Sequence, residues 1–156
     1  MSSLAVIIAG AVAAVVMLLL AVPFSLVTNY LYGVQPDIWK PMNELTYIGM
    51  LLFYLLSGLV YALVYSVLGK NIKGGPLAKG TLYGSLLWFV GPLPGLLMTH
   101  ITMVVDPALI VVWLLQDLFN VLFSGIITAY VFEIFDGRKD NGSKDLRNGR
   151  KRARKA

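Results

Sequence analysis

Charged residues are absent from three long stretches of the 156-residue chain, and this distribution constrains the fold more than any other feature. No acidic or basic side chain occurs before Asp37, between Glu44 and Lys70, or between Lys79 and Asp106. A helix rises about 1.5 Å per residue, so some 20 uncharged residues match the roughly 30 Å hydrocarbon core of a bilayer. Backbone groups in lipid must satisfy one another, which favours uninterrupted helices. The sequence therefore predicts an all-α integral membrane protein.

Composition supports the same interpretation and excludes several kinds of site. Hydrophobic residues make up 58% of the chain and charged residues 13%, whereas about a quarter of the residues in a soluble domain are charged. The chain has no cysteine, which excludes disulfides, iron–sulfur clusters and thioether-linked haem within it. Because His100 is the only histidine, a zinc site with several histidines would need a partner chain. We expect no metal and no cofactor.

The apolar segments predict a four-helix bundle that crosses the membrane four times. The spans are expected at about residues 4–32, 46–68, 80–103 and 107–135. Glycine and proline in the segment 69–79 indicate a turn rather than a helix. After Asp136 the chain is polar and basic, with too few apolar residues for a core, so residues 136–156 are predicted to form a disordered tail.

Small residues on the first span predict where it packs. Ala5, Ala9 and Ala13 form one ridge, with Gly10 and Ala14 beside it, and such ridges allow a neighbouring helix to approach closely.

Tyrosines on the second span predict a further contact surface. Tyr47, Tyr54 and Tyr61 recur every seven residues, and Gly58 and Tyr65 lie near the same face. A buried phenol needs a hydrogen-bond partner, so this stripe is expected to face protein. A packed helix–helix seam is the favoured interpretation; a tyrosine-lined path for a ligand or for electrons is the alternative.

The third span contains an unusual motif in its middle. Two prolines and two glycines, Gly91, Pro92, Pro94 and Gly95, surround Leu93. Proline has no N–H, so Pro92 and Pro94 leave the carbonyls of Trp88 and Val90 without their helical donors. The motif predicts that the third helix is kinked or broken.

The fourth span carries a carboxyl group in an otherwise apolar segment. A charge near the bilayer centre costs about 2.5–3.5 kcal/mol on insertion scales, so Asp117 is expected to face the bundle interior. Asn120, Ser124 and Thr128 follow it at the spacing of one helix face, and Gln116 lies four residues before Asn120. Counted from the outer helix ends, Asp117 and Leu93 are predicted at similar depth.

Together these residues define a candidate intramembrane polar site. Its members are Asp117, Asn120, Gln116 and Ser124 of the fourth span, and Gly91, Pro92, Pro94 and Gly95 of the third. Broken helices beside an acidic residue are typical of transporter ion sites. Proline kinks whose freed groups are satisfied by polar side chains are also common, and this structural interpretation is favoured. Asp117 is expected to be neutral or paired.

Basic residues predict the orientation of the chain. Three lysines lie in the loop after the second span and nine basic residues lie in the tail, whereas the other side holds only Lys40. The positive-inside rule therefore places both termini in the cytoplasm of a cell-membrane protein. The basic cluster in the tail is expected to contact anionic lipid headgroups, and nucleic acid is not expected as a partner. This cluster contains Arg150, Lys151, Arg152, Arg154 and Lys155.

The overall layout resembles the small, uncharacterised four-span integral membrane proteins of bacteria and archaea. The resemblance is carried by the segment from Ala9 to Ala14 and by the segment from Lys79 to Trp88, which reads KGTLYGSLLW. It implies a four-span helical fold and no particular activity.

Two classes of function remain open from the sequence. The first is a structural or accessory subunit of a membrane complex, or a self-associating scaffold, and the small-residue ridge supports it. The second is a small oligomeric transporter or channel that uses Asp117 beside the broken helix. An enzyme is not expected, because no nucleophile–base pair, metal cluster or paired carboxylates converge at one depth.

Overall fold

The computed structural model describes the backbone of residues 3–32 and 43–153, with side chains except at 27, 29–32 and 136–153. Within these ranges the chain is helical and contains no strand. The helices are α1 (Ser3–Tyr32), α2 (Glu44–Leu68), α3 (Pro76–Val90), α4 (Pro92–Thr102) and α5 (Pro107–Ala153), with a short 3-10 turn at Gly69–Asn71. Four helical segments of the described chain are long and apolar enough to cross a membrane, with α3 and α4 forming one of them together.

Local sequence explains where the helices begin. The side chain of Asn43 accepts a hydrogen bond from the backbone N–H of Thr46 at 3.0 Å and so caps α2. Asp106 caps α5 in the same way, accepting from the N–H of Ala108 at 2.7 Å. Pro76 occupies the first turn of α3, where its missing N–H costs nothing. The third span therefore starts at Pro76, four residues before the predicted start, and the turn before it contains Gly74 at φ +115°.

The helix of the third span is interrupted at Gly91. This residue has φ −106° and ψ −85°, outside helical geometry, and lies between the end of α3 and the start of α4. Its N–H still donates to the carbonyl of Leu87 at 2.9 Å, and the N–H of Gly95 donates to the carbonyl of Gly91 at 3.2 Å. Hydrogen bonding therefore continues on both sides of Pro92, while the bend of the helix axis stays a prediction.

Helix α5 is the centre of the packing and runs antiparallel to both α1 and α3. It contacts α3 and α1 along their lengths, whereas α2 packs mainly on α1. Near the start of α1, Ala5 and Ala9 share a buried cluster with Ala129 and Phe132 of α5. At the other end, the rings of Phe24 and Phe119 lie 6.0 Å apart. We call the end of the bundle that holds the 69–75 loop the basic end.

Glycines mark the closest approaches between helices. A Cβ at Gly10 would lie 2.8 Å from the Cα of Leu59, and a Cβ at Gly58 would overlap the carbonyl oxygen of Gly10. On the other side of the bundle, a Cβ at Gly84 would lie 2.7 Å from the carbonyl oxygen of Val121. The small residues predicted to form a ridge on α1 are buried. They allow backbone to pack on backbone, as expected for helices in lipid.

The predicted tyrosine stripe of α2 is buried only toward the basic end. Tyr65 is buried, with its ring edge-on to Tyr83 at 5.1 Å and stacked on Phe132 at 5.3 Å. Tyr61 is half-buried, whereas Tyr47 is 57% exposed, so within the described chain the stripe packs against protein mainly toward the basic end. The reason is the packing of α2, which lies against α1 and contacts α5 much less.

Helix α5 continues beyond the predicted end of the fourth span. Its backbone remains helical from Asp136 to Ala153, where the composition predicted disorder. Extension of a formed helix is inexpensive because nucleation is the costly step. The disorder of residues 136–156 in solution stays a prediction.

Candidate intramembrane polar site

The polar stripe of α5 faces the inside of the bundle. Ser124 and Thr128 have no exposed surface, and Asn120 is 7% exposed. Asp117 and Gln116, nearer the start of α5, are half-buried. The face predicted from the i, i+3, i+7, i+11 spacing is thus the face that α5 turns toward its neighbours.

Three oxygen atoms of this stripe have no hydrogen-bond partner among the described residues: Asn120 Oδ1, Ser124 Oγ and Thr128 Oγ1. The two hydroxyl groups have a local solution, because serine and threonine in a helix can donate to the carbonyl four residues earlier. The amide oxygen has none, since it only accepts and the helix offers no spare N–H groups in its interior. Asn120 therefore requires a donor from outside the backbone of α5.

Asp117 lies within electrostatic range of Tyr61 on α2. In the described part of the chain, it forms no hydrogen bond and no ion pair. Lys70, Lys73 and Lys79 all belong to the basic end, because Lys79 directly precedes Gly80, which contacts Ile126. Each of these three lysines is therefore more than two helical turns from Asp117, measured along α5.

Contacts between α3 and α5 fix the depth of Asp117. A Cβ at Gly80 would meet the Cα of Ile126, and one at Gly84 would lie 2.9 Å from the Cα of Leu122. Because α3 and α5 are antiparallel, the same register places Asp117 level with Phe89. Leu93, four residues further, lies about 6 Å closer to the opposite end of the bundle. Asp117 and Leu93 were predicted at similar depth, and the register of the packed glycines gives an axial offset of about one helical turn between them.

Trp88 links α3 to α5 one turn from Asp117. Its indole Nε1–H donates to the carbonyl oxygen of Leu114 at 3.2 Å. Only the backbone carbonyl of Trp88 was predicted to take part, and its indole N–H was missed. Its position in an apolar span, where an indole N–H needs an acceptor, was the available signal.

The residues of the proline motif lie apart from the polar stripe. Gly91, Pro94 and Gly95 are exposed, and Pro92 is half-buried. A Cβ at Gly95 would meet nothing within 4 Å. Below the motif, α4 contacts α5 through Leu96, which packs on a small cluster of Val105, Leu109 and Ile110. The structure brings Asp117, Asn120 and Ser124 to one face but does not bring Gly95 and Pro94 to them.

An apolar groove lies elsewhere on the bundle, between α1 and α2. It has a volume of about 500 Å³ and is lined by Leu18, Ala21, Val22, Ser25, Tyr47, Met50, Leu51 and Tyr54. None of these residues belongs to the polar site. The side chains of the tail cluster, from Arg150 to Lys155, lie outside the described residues.

The chain matches no protein-family model, no curated protein and no solved structure.

Proposed function

We propose that this membrane protein is a structural or accessory subunit of a membrane complex, or a scaffold that associates with itself. The observation that carries the proposal is the backbone packing at Gly10–Gly58 and at Gly80–Ile126. Ser124 and Thr128 are fully enclosed between the packed helices. A chain whose helices pack this closely offers mainly its lateral surface for interactions, which supports an assembly role.

Two glycines of the lateral surface are suited to helix association. A Cβ at Gly49 on α2 or at Gly95 on α4 would meet nothing within 4 Å, so neither glycine serves packing inside the described chain. Small residues on an exposed face allow a second helix to approach closely in lipid. In contrast, Gly10, Gly58, Gly80 and Gly84 are all in contact with another helix of the same chain.

The proposal is tested by the native mass of the protein after gentle solubilisation from its own membrane. We expect co-purification with other subunits in fixed ratio, or a homo-oligomer. Gly95→Leu and Gly49→Leu should lower the fraction in the larger species, because leucine keeps the helices apart. Gly75→Leu is the matched control: its Cβ also meets nothing, but it lies in the loop at the basic end. A monomer in every case contradicts the proposal.

We further propose that the protein lies in the cell membrane with both termini in the cytoplasm. The exposed Lys70 and Lys73 support this orientation, because they lie at the end of the bundle where α5 leads into the basic tail. In this orientation the basic cluster from Arg150 to Lys155 lies on the side of the inner leaflet, whose anionic headgroups attract basic segments.

A small oligomeric transporter or channel is the second candidate, favoured by Asp117 alone. A half-buried carboxyl without an ion pair in the middle of a span is an unusual and costly feature. Asp117→Asn separates the two candidates. Loss of ion-dependent flux into vesicles with an unchanged native mass supports transport, whereas unchanged flux supports the subunit.

A further inference from the structure

The inference starts from the amide oxygen of Asn120, which is buried and has no donor among the residues that the structure describes. Leaving a buried acceptor unpaired is unfavourable, and the penalty is larger in lipid, where water is scarce. The hydroxyl groups of Ser124 and Thr128 are unpaired as well, and each can rotate to donate to the carbonyl four residues earlier, whereas the amide oxygen can only accept. The missing partner is therefore a hydrogen-bond donor.

Few groups that face this point can donate. Helix α1 brings no charged residue, and α4 brings only His100, which is exposed near the opposite end. On α3, the Tyr83 hydroxyl already donates to the carbonyl oxygen of Tyr61 at 2.6 Å. The remaining titratable groups near Asn120 are the phenol of Tyr61 on α2 and the carboxyl of Asp117 on α5 itself.

The Ser124 hydroxyl and the Gln116 amide also lie one turn from Asn120 on α5. Of these neighbours, only the Asp117 carboxyl must lose a charge to suit the span, so it is the candidate that we pursue. Residues three apart on a helix are neighbours, with Cβ atoms about 5–6 Å apart, a gap that an aspartate and an asparagine side chain bridge together. An ionised carboxylate accepts only, so it offers the amide oxygen nothing, whereas a protonated carboxyl has one O–H to donate.

We infer that Asp117 and Asn120 form a proton-binding site, in which the carboxyl group keeps its proton within the bilayer and donates it to Asn120 Oδ1. The bound ligand is a proton, and Asn120 positions the carboxyl that holds it. One hydrogen bond then resolves two unfavourable features of the bundle. The carboxyl is neutral in a span without a basic partner, and the amide oxygen gains its donor. The inference stands whether the chain is a subunit or a transporter.

The test is infrared spectroscopy of the full chain in lipid bilayers at neutral pH. We expect the carbonyl stretching band of a protonated carboxyl group, which shifts to lower frequency in D₂O. Carboxylates that face water give no such band when ionised, so Asp117→Asn should remove it. In wild-type protein, aspartate labelled with ¹³C at the side-chain carboxyl should shift the band. This assigns the signal to aspartate even if Asp117→Asn does not fold.

Two further variants identify the partner. Asn120→Leu should keep the band but move it to higher frequency, because the carboxyl loses its acceptor. Tyr61→Phe and Gln116→Leu are the controls, and both should leave the frequency unchanged. Absence of the band in wild-type protein means that Asp117 is ionised and overturns the inference. A band that responds to Tyr61→Phe and not to Asn120→Leu also overturns it, since the partner is then the phenol. The native mass, measured on the same samples, tests the subunit proposal separately.

Discussion

At the scale of single residues, a short polar contact between two helices of the described bundle involves a backbone group. The Tyr83 hydroxyl is directed at the carbonyl oxygen of Tyr61, which sits in α2 and already accepts within that helix. A carbonyl has two lone pairs, so it accepts a second hydrogen bond without breaking the helix. The ring of Tyr83 is 1% exposed and packs edge-on against Tyr65. This one side chain therefore joins α3 to α2, which otherwise contact each other little.

Removal of this hydroxyl should weaken the attachment of α2. Tyr83→Phe keeps the ring and its packing, so we expect a loss of about 0.5–1.5 kcal/mol in the free energy of unfolding, the value of one hydrogen bond. Tyr130→Phe is the control, because Tyr130 is exposed on the outer face of α5. Unfolding in mixed micelles, followed by tryptophan fluorescence, measures both. Equal stability of the two variants would show that the hydroxyl contributes nothing.

At the scale of helices, the pair α3–α5 depends on the absence of side chains at the crossing. Gly80 and Gly84 lie one turn apart on α3 and face Gly125 and its neighbours on α5. Small residues one turn apart form a groove that admits the facing backbone. The register set by this contact places Asp117 level with Phe89 and orients the polar stripe. Helix packing and the geometry of the site are therefore linked through the same glycines.

A large side chain at this crossing should separate the two helices. In Gly84→Leu, the Cβ would lie 2.7 Å from the carbonyl oxygen of Val121, a backbone atom that cannot move aside alone. We expect the melting temperature to fall sharply or the folded bundle not to accumulate. Gly75→Leu is the matched control, because the same substitution in the loop before α3 meets nothing within 4 Å. If both variants melt like the parent protein, α3 does not pack on α5 through Gly84.

At the scale of the whole molecule, four spans bring both basic segments to one end. The loop residues Lys70 and Lys73 are exposed there, and α5 emerges at the same end. Val104, in the turn between α4 and α5, is 93% exposed at the other end. An even number of spans is needed for this separation, because each crossing reverses the side of the membrane.

The orientation is directly measurable because the chain has no cysteine of its own. Single cysteines are introduced as Lys73→Cys and Val104→Cys and are labelled in intact cells with a thiol reagent that does not cross membranes. We expect Val104→Cys to react at once and Lys73→Cys to react only after permeabilisation, because the basic end should face the cytoplasm. The reverse pattern contradicts the proposed orientation, and labelling of both in intact cells contradicts four spans.

The four membrane-length helical segments and the inward face of α5 followed from the sequence alone. Hydrophobic length is set by the bilayer, and the periodicity of Asn120, Ser124 and Thr128 is a property of one helix, so no contact between helices had to be known. The alanine ridge of α1 was predicted for the same reason. Proline is a typical first residue of a helix, but the prediction placed Pro76 in the turn before the third span.

Only the tertiary structure decided how the helices are arranged against one another. The register of α3 on α5, the exposure of Tyr47 and the separation of Gly95 from Asp117 depend on which backbones meet at which glycines. Side-chain periodicity gives the face of a helix but not its axial position against a neighbour, because that position is fixed by the fit of two surfaces. The unpaired oxygen of Asn120 is a consequence of that fit. It could be recognised only from the positions of the helices that pack against α5.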